Sequence, residues 1–208
     1  VNSLLDQALL VVAAYLLGSL PFSYLIVRLR TGRDVRTLGS GNAGATNVTR
    51  AAGKAAGVLA ALLDVGKGIA ATLIARGLGA PPPVVGLAAF AVVLGHCHPV
   101  FLRFRGGKGG ATGGGVLAVL APPVALLSVL VLVAMIAWKR YVSLGTMTAA
   151  VASPLFVLAF QRFGRLPAGV WLPTTTAAIA VLIVARHHGN LRRLRAGTEA
   201  RVGSGGRG

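Results

Sequence analysis

The 208-residue chain is 55% hydrophobic and 12% charged, with a mean hydropathy of +0.76. This excludes an ordinary soluble globular protein: at about 20 apolar residues per spanning helix, the length holds seven or eight spans and almost no extramembrane domain. The formal net charge of +17, from 21 Lys and Arg against Asp6, Asp34, Asp64 and Glu199, points to membrane lipid headgroups and phosphorylated substrates. It does not point to nucleic acid, because few aromatics interleave with charges that sit between apolar stretches.

The first apolar stretch, Leu4 to Leu29, lacks a basic leader and a small-residue cleavage pattern, so it reads as a retained span. Behind it come Arg28, Arg30, Arg33 and Arg36, then GSGNAGATNVTR from Gly39 to Arg50. Glycines placed among Ser40, Asn42, Thr46 and Asn47 let a backbone turn several N–H groups onto one anion, with Arg50 adding charge. A helix starting here would add the positive end of its dipole. Such loops also occur as simple turns, so the spacing leaves both readings open.

The second span, Val58 to Leu78, carries Asp64 and Lys67 inside its apolar run. An unpaired charge at mid-bilayer costs about 2.5–3.5 kcal/mol on insertion scales. Their i, i+3 spacing allows pairing on one helix face, so we expect a structural or site-bordering ion pair, with a proton path as the alternative. Pro81-Pro82-Pro83 makes a rigid turn before the third span, Val84 to Phe104.

The segment GHCHPVFLRFRGGKGGATGGG, Gly95 to Gly115, places Lys108 between the pairs Gly106-Gly107 and Gly109-Gly110. It is not a Walker A loop, since Leu102 stands where the first glycine belongs and Gly109 follows the lysine. No nucleotide is implied. His96 and His98 lack the companions of a metal site, so no metal is expected, and they read as hydrogen-bonding groups where a helix breaks at Pro99. Cys97, the one cysteine, has no partner for an internal disulfide.

Thr112 to Trp138 is too long for one span, and Pro122-Pro123 interrupts it. Splitting it there places Lys139, Arg140 and the terminal arginines on the same side as the loops already described, which satisfies the positive-inside rule and leaves only Arg76, Arg162 and Arg165 opposite. The segment Thr112 to Ala121 is then only about 15 Å long at 1.5 Å per residue, short enough to be re-entrant or tilted. Val142 to Phe160 and Ala168 to Ala185 complete an all-α, polytopic membrane bundle of about seven transmembrane segments, N-terminus outside and C-terminus cytoplasmic. We expect residues 1–200 to form a single transmembrane domain and residues 201–208 a flexible tail. No internal repeat is evident, which counts against an inverted-repeat transporter.

The last segment, RHHGNLRRLRAGTE from Arg186 to Glu199, has the composition of a basic retention signal. Retention does not require Asn190 or Glu199, however, and the topology puts this segment on the face of the other two. Three donor-rich segments on one face argue for a phosphate site more strongly than any one of them alone.

These segments, with GSLPFSYLI in the first span and LLDVGKG in the second, resemble the bacterial acyl-phosphate:glycerol-3-phosphate acyltransferases, the PlsY family, in order along nearly the whole chain. His98, where such proteins often carry an aromatic residue, and Gly110, where valine is common, depart from the pattern without removing a chemical group. The resemblance implies a seven-helix enzyme of the bacterial inner (plasma) membrane with its active site on the cytoplasmic face. It would move a fatty acyl group from acyl-phosphate to the 1-hydroxyl of glycerol 3-phosphate, giving lysophosphatidic acid and inorganic phosphate in the first acylation of phospholipid synthesis. It further implies catalytic roles for His187, Asn190, Lys108 and Arg50, and substrate binding by Ser40, Gly41, Asn42, Gly44, Thr46, Asn47, Gly106, Gly107 and Glu199. No cofactor is implied, because the donor is already activated. The soluble enzyme that makes acyl-phosphate becomes a candidate partner. The general base is His187 or a substrate phosphate oxygen. A transporter or flippase for a phosphorylated lipid or metabolite is the competing reading; it would distribute polar groups through both membrane halves, whereas here they gather at one face apart from Asp64 and Lys67. An acyltransferase of the His-x4-Asp type is excluded, since no aspartate lies five residues after any histidine.

Overall fold

A computed structural model of the chain describes residue 1 and residues 3–203; residues 204–208 of the expected tail lie outside the described residues. The described chain is helical, with α1 Leu4–Gly18, α2 Phe22–Thr31, α3 Ala45–Ala52, α4 Lys54–Gly77, α5 Pro82–Cys97, α6 Gly110–Leu120, α7 Pro122–Lys139, α8 Val142–Arg162, α9 Trp171–Arg186 and α10 His188–Arg195. Five stretches among the described residues are long and apolar enough to cross a membrane: Leu4–Thr31, Lys54–Gly77, Pro82–Leu102, Pro122–Lys139 and Val142–Arg162. The shorter apolar helices α6 and α9 bring the segments to the expected seven. The split of the fourth stretch occurs at Ala121, whose φ of −152° and ψ of 75° end helical geometry just before Pro122, where the missing N–H and the pyrrolidine ring would clash with a continuing helix.

The first span differs from the single helix expected over Leu4 to Leu29. It is broken between Gly18 and Phe22, because Pro21 can neither donate to the preceding turn nor let Leu20 remain helical. Just before the break α1 and α5 touch: a Cβ on Gly18 would overlap the Val92 carbonyl of α5, and one on Gly95 would overlap the Tyr15 carbonyl of α1.

Two compact units divide the chain, Val1–Leu120 and a second that begins at Ala121. In the first, α1 lies along α5, while α4 lies against both α5 and α6. At the α4/α6 interface a Cβ on Gly68 would overlap the Thr112 carbonyl, and one on Gly115 the Val65 carbonyl. The lack of side chains on both helices lets their backbones touch, the packing that apolar helices use where water supplies no driving force. In the second unit α7 packs on α8, α8 on α9, and α10 continues from α9.

Apolar residues line the outside as well as the core. On α1, Leu5, Leu9, Val12 and Leu16 are exposed at a spacing of three and four residues, and α7 repeats the pattern with Leu126, Val129, Leu130 and Val133. In water these stripes would be a liability; in a bilayer they face the lipid tails. Below the first glycine-rich loop lies a small core of Val27, Val35, Ala43, Val48, Ala56, Ala60 and Leu102. It gathers residues of α2, α3, α4 and both glycine-rich loops, and so fixes where those loops sit.

Candidate active site

The Gly39–Arg50 loop owes its shape to one buried side chain. Asn47, 2% exposed, accepts from the Ser40 N–H at 3.0 Å and donates from Nδ2 to the carbonyls of Val35 (3.0 Å) and Leu38 (2.9 Å). Gly39 and Gly41 turn at φ of 53° and 69°, a left-handed conformation costly for other residues. Gly39 also passes so close to Asn47 Oδ1 that a Cβ there would overlap it. Asn42 and Gly44 follow, and a Cβ on Gly44 would come within 2.7 Å of Asn42 Nδ2. α3 then begins at Ala45 with Gly44 as its N-cap. Its first-turn N–H groups, including Thr46, lack intrahelical acceptors as at any helix start, and they give the loop a positive end. Ser40, Gly41, Thr46 and Arg50 are exposed, with Arg50 on the last turn of α3.

An ion pair missed at the level of sequence fastens this loop to the next one. The Asp34 carboxylate caps the short turn Val35–Thr37, accepting from the Arg36 N–H at 2.8 Å. It also accepts from the Arg36 guanidinium at 2.7–3.1 Å. Arg36 Nη1 in turn donates to the Leu102 carbonyl at 3.1 Å. The guanidinium beside it holds the Asp34 carboxyl below the usual carboxylate range, against the opposing effect of burial. The only sequence signal was the Asp-x-Arg spacing, hidden in a run of charges that reads as topological.

The second loop returns on itself after α5. Gly106 N donates to the Cys97 carbonyl at 3.3 Å and Gly107 N to the His96 carbonyl at 3.0 Å, while Arg103 and Phe104 turn the chain with φ of 52° and 62°. Tyr15 Oη donates to the His98 carbonyl at 2.8 Å. Gly107 is buried against both loops at once: a Cβ there would overlap the Nε2 of His96 and lie 3.0 Å from the Ala43 carbonyl. Lys108, half-buried, therefore emerges beside the first loop and just before α6. Ser40, Gly41, Asn42, Gly44, Thr46, Asn47 and Arg50 are thus assembled with Gly106, Gly107 and Lys108 in one unit.

Asp64 and Lys67 form the expected pair, Nζ to Oδ1 at 2.9 Å, with both side chains at most 3% exposed. His96 is the partner that sequence reasoning did not assign, its Nδ1 3.3 Å from the same Asp64 oxygen. The two lie 32 positions apart on different helices, beyond the reach of any periodicity argument. A narrow, partly open crevice runs from Pro21 and Ser23 past Asp64, Lys67 and His96 to Gly106 and Gly107.

In the second unit the C-terminal segment folds onto the start of α8. Glu199 accepts from Asn190 Nδ2 at 2.6 Å and Ser143 Oγ at 2.7 Å, and from Arg193 Nε at 2.7 Å. Burial pushes the Glu199 carboxyl up, but these three donors outweigh it and leave the group below the ordinary range. Ser143 carried no sequence signal of its own. His187, 3% exposed at the junction of α9 and α10, holds its Nδ1 2.7 Å from the Ile183 carbonyl. A carbonyl only accepts, so Nδ1 bears the proton and, in the neutral ring, Nε2 carries the lone pair. Val202 N donates to the Arg140 carbonyl at 2.7 Å and Arg201 Nε to Tyr141 Oη at 3.0 Å, so residues 201–202 contact the α7–α8 turn.

Comparison with known proteins agrees over almost the full length. The family model described as glycerol-3-phosphate acyltransferase matches residues 8–197. A glycerol-3-phosphate acyltransferase of Rubrobacter xylanophilus is 48% identical over 97% of this chain and 99% of its own. Two crystal structures of PlsY, an integral membrane glycerol 3-phosphate acyltransferase, superpose on it. The glycerol 3-phosphate form is 44% identical with a TM-score of 0.87, and the lysophosphatidic acid form 43% identical with 0.84, each covering 96% of both chains. The two glycine-rich loops and the basic C-terminal segment as far as Gly197 fall within the matched residues, and the chain belongs to the glycerol-3-phosphate acyltransferase family.

Proposed function

We propose that this chain transfers a fatty acyl group from acyl-phosphate to the 1-hydroxyl of glycerol 3-phosphate at the cytoplasmic face of a bacterial inner membrane, releasing lysophosphatidic acid and inorganic phosphate. The observation that carries the reading is the likeness, over 96% of the chain, to a protein whose crystal structures are its glycerol 3-phosphate and lysophosphatidic acid forms. The packing of Gly107 against the Ala43 carbonyl supports it, because that contact sets the Lys108 loop beside the first glycine-rich loop and the start of α3, a cation next to backbone donors as phosphorylated substrates require.

In this mechanism the glycerol hydroxyl attacks the acyl carbonyl carbon, the new ester C–O bond forms, and the bond from that carbon to the phosphate oxygen breaks, the oxygen leaving with the phosphate. Phosphate is a good leaving group, so neither a covalent intermediate nor a cofactor is needed. The hydroxyl proton passes to Nε2 of His187, whose tautomer the Ile183 carbonyl sets, and then to the departing phosphate. Lys108 and the N–H groups of Gly44 and Thr46 hold phosphate oxygens, while Gly41, Gly106 and Gly107, whose N–H groups close turns onto the carbonyls of Leu38, Cys97 and His96, line the substrate and let its phosphate approach the backbone. Ser40 and Asn42 add donors, and Arg50 neutralises the developing charge. Asn190, anchored by Glu199, orients the glycerol. Asn47 acts through the backbone: its amide is engaged by three main-chain groups of the loop. Alignment of the hydroxyl with the carbonyl contributes up to about 7–11 kcal/mol to lowering the barrier.

The test is a donor panel. Purified protein is given glycerol 3-phosphate with acyl-phosphate, acyl-CoA or acyl carrier protein thioester in separate reactions. Product from acyl-phosphate alone is expected; product only from a thioester would refute the assignment of the donor.

A further inference from the structure

We propose that Asp64, Lys67 and His96 form a buried positioning triad that sets the spacing between the two glycine-rich loops, an inference that rests on the acyltransferase reading above. The Asp64 carboxylate on α4 takes Lys67 Nζ at 2.9 Å and lies 3.3 Å from Nδ1 of His96, at the end of α5. Lys67 Nζ also reaches the Leu20 carbonyl at 3.4 Å, an acceptor in the break that Pro21 makes in the first span, and lies 5.9 Å from the Phe22 ring. One charge cluster therefore joins the α1–α2 break, α4 and the end of α5.

Its opposite end is the ring of His96, held in orientation by Asp64, with Nε2 against the Cα of Gly107. The Ala43 carbonyl oxygen of the first loop lies on the same face, 3.0 Å from where a Cβ on Gly107 would sit. The imidazole and the carbonyl thus converge on the bare face of Gly107, so the place of the His96 ring sets how closely the two loops approach there, and Lys108 is the next residue. Stability alone does not account for such a cluster: a buried ion pair is often replaced by well-packed apolar residues at no loss of stability, and its best-attested use is to fix one arrangement among several. A misplacement of about 1 Å at a reacting group can cost about 100-fold in rate, so a residue that sets loop height influences kcat without touching substrate.

The experiment measures kcat, KM for glycerol 3-phosphate and thermal unfolding for the full-length protein and its variants. The Asp64→Leu/Lys67→Met double variant replaces the pair by apolar side chains and is expected to unfold at or above the parent temperature with kcat lowered about 10-fold or more. Parent kinetics in that folded variant would overturn the proposal. A double-mutant cycle decides independently, including where the apolar variant fails to fold. Gly107→Ala drives a methyl into the His96 ring and is expected to lose about 100-fold in kcat, and His96→Ala about 10-fold. The His96→Ala/Gly107→Ala variant should recover to within about threefold of His96→Ala, because the obstructing ring is gone. Multiplicative losses near 1,000-fold, or parent kinetics in His96→Ala, would overturn the triad. A parent enzyme that made no lysophosphatidic acid would instead defeat the acyltransferase reading, so the two failures are distinct.

Discussion

Asn47 separates a residue that binds substrate directly from one that shapes the loop that does. Its amide is 2% exposed and makes three hydrogen bonds of 2.9–3.0 Å, all to main-chain groups of residues 35–40. Asn47→Ala removes all three and leaves the Val35 carbonyl, within the small core beneath the loop, short of a donor. At about 0.5–1.5 kcal/mol net for each bond, with more for a group left buried and unpaired, the loss comes to about 2–4 kcal/mol. For a chain of this size that corresponds to a fall in Tm of about 4–16 °C. Activity should fall with it, because the loop that presents Asn42, Gly44 and Thr46 loses the shape that Asn47 imposes on it. The assay is thermal unfolding in a fixed detergent together with initial rates well below the unfolding temperature. An unchanged Tm with activity lost would refute the loop-shaping argument and place Asn47 in direct contact with substrate.

Other perturbations act on different parts of the structure. Lys108→Ala should cut kcat by about 100-fold or more while leaving Tm within a few degrees, since the lysine is half-buried at a loop and supplies charge for the transition state; rates and unfolding on one preparation test this. Gly115→Leu pushes a side chain into the Val65 carbonyl and should separate α4 from α6. Overpacking of this kind costs about 1–3 kcal/mol or more, which size-exclusion profile and Tm would register. Glu199, whose folded carboxyl lies below the ordinary range, stabilises the protein above the unfolded value of about 4.3 and loses that contribution as pH falls towards the folded value. The Tm difference between parent and Glu199→Gln should therefore be largest near pH 7 and shrink below about pH 5; a difference independent of pH would contradict the assignment.

The parts of the fold that were legible in the sequence were those set locally. Apolar run lengths gave the segments, and Pro122 gave the break at Ala121 because proline acts on its immediate neighbours. The Asp64–Lys67 pair followed from helical spacing. Pro21 acts by the same local rule as Pro122, but the apolar run around it is continuous and no charge pattern demanded a split. His96 with Asp64, Arg36 with Leu102 and Ser143 with Glu199 depend on which helices become neighbours, which neither periodicity nor spacing encodes. The glycines of the loops were visible as an anion-binding pattern, whereas the engagement of Asn47 by that loop's own backbone emerges only once the chain has turned.

The central claim is a direct acyl transfer between two phosphorylated substrates. Its most direct test is to mix purified protein with acyl-phosphate and glycerol 3-phosphate and quantify lysophosphatidic acid and inorganic phosphate over time. The account predicts that the two products appear together in a 1:1 ratio, with no added metal or nucleotide, and that both rates collapse in Lys108→Ala. Phosphate release without lysophosphatidic acid, or equal rates in parent and Lys108→Ala, would contradict it.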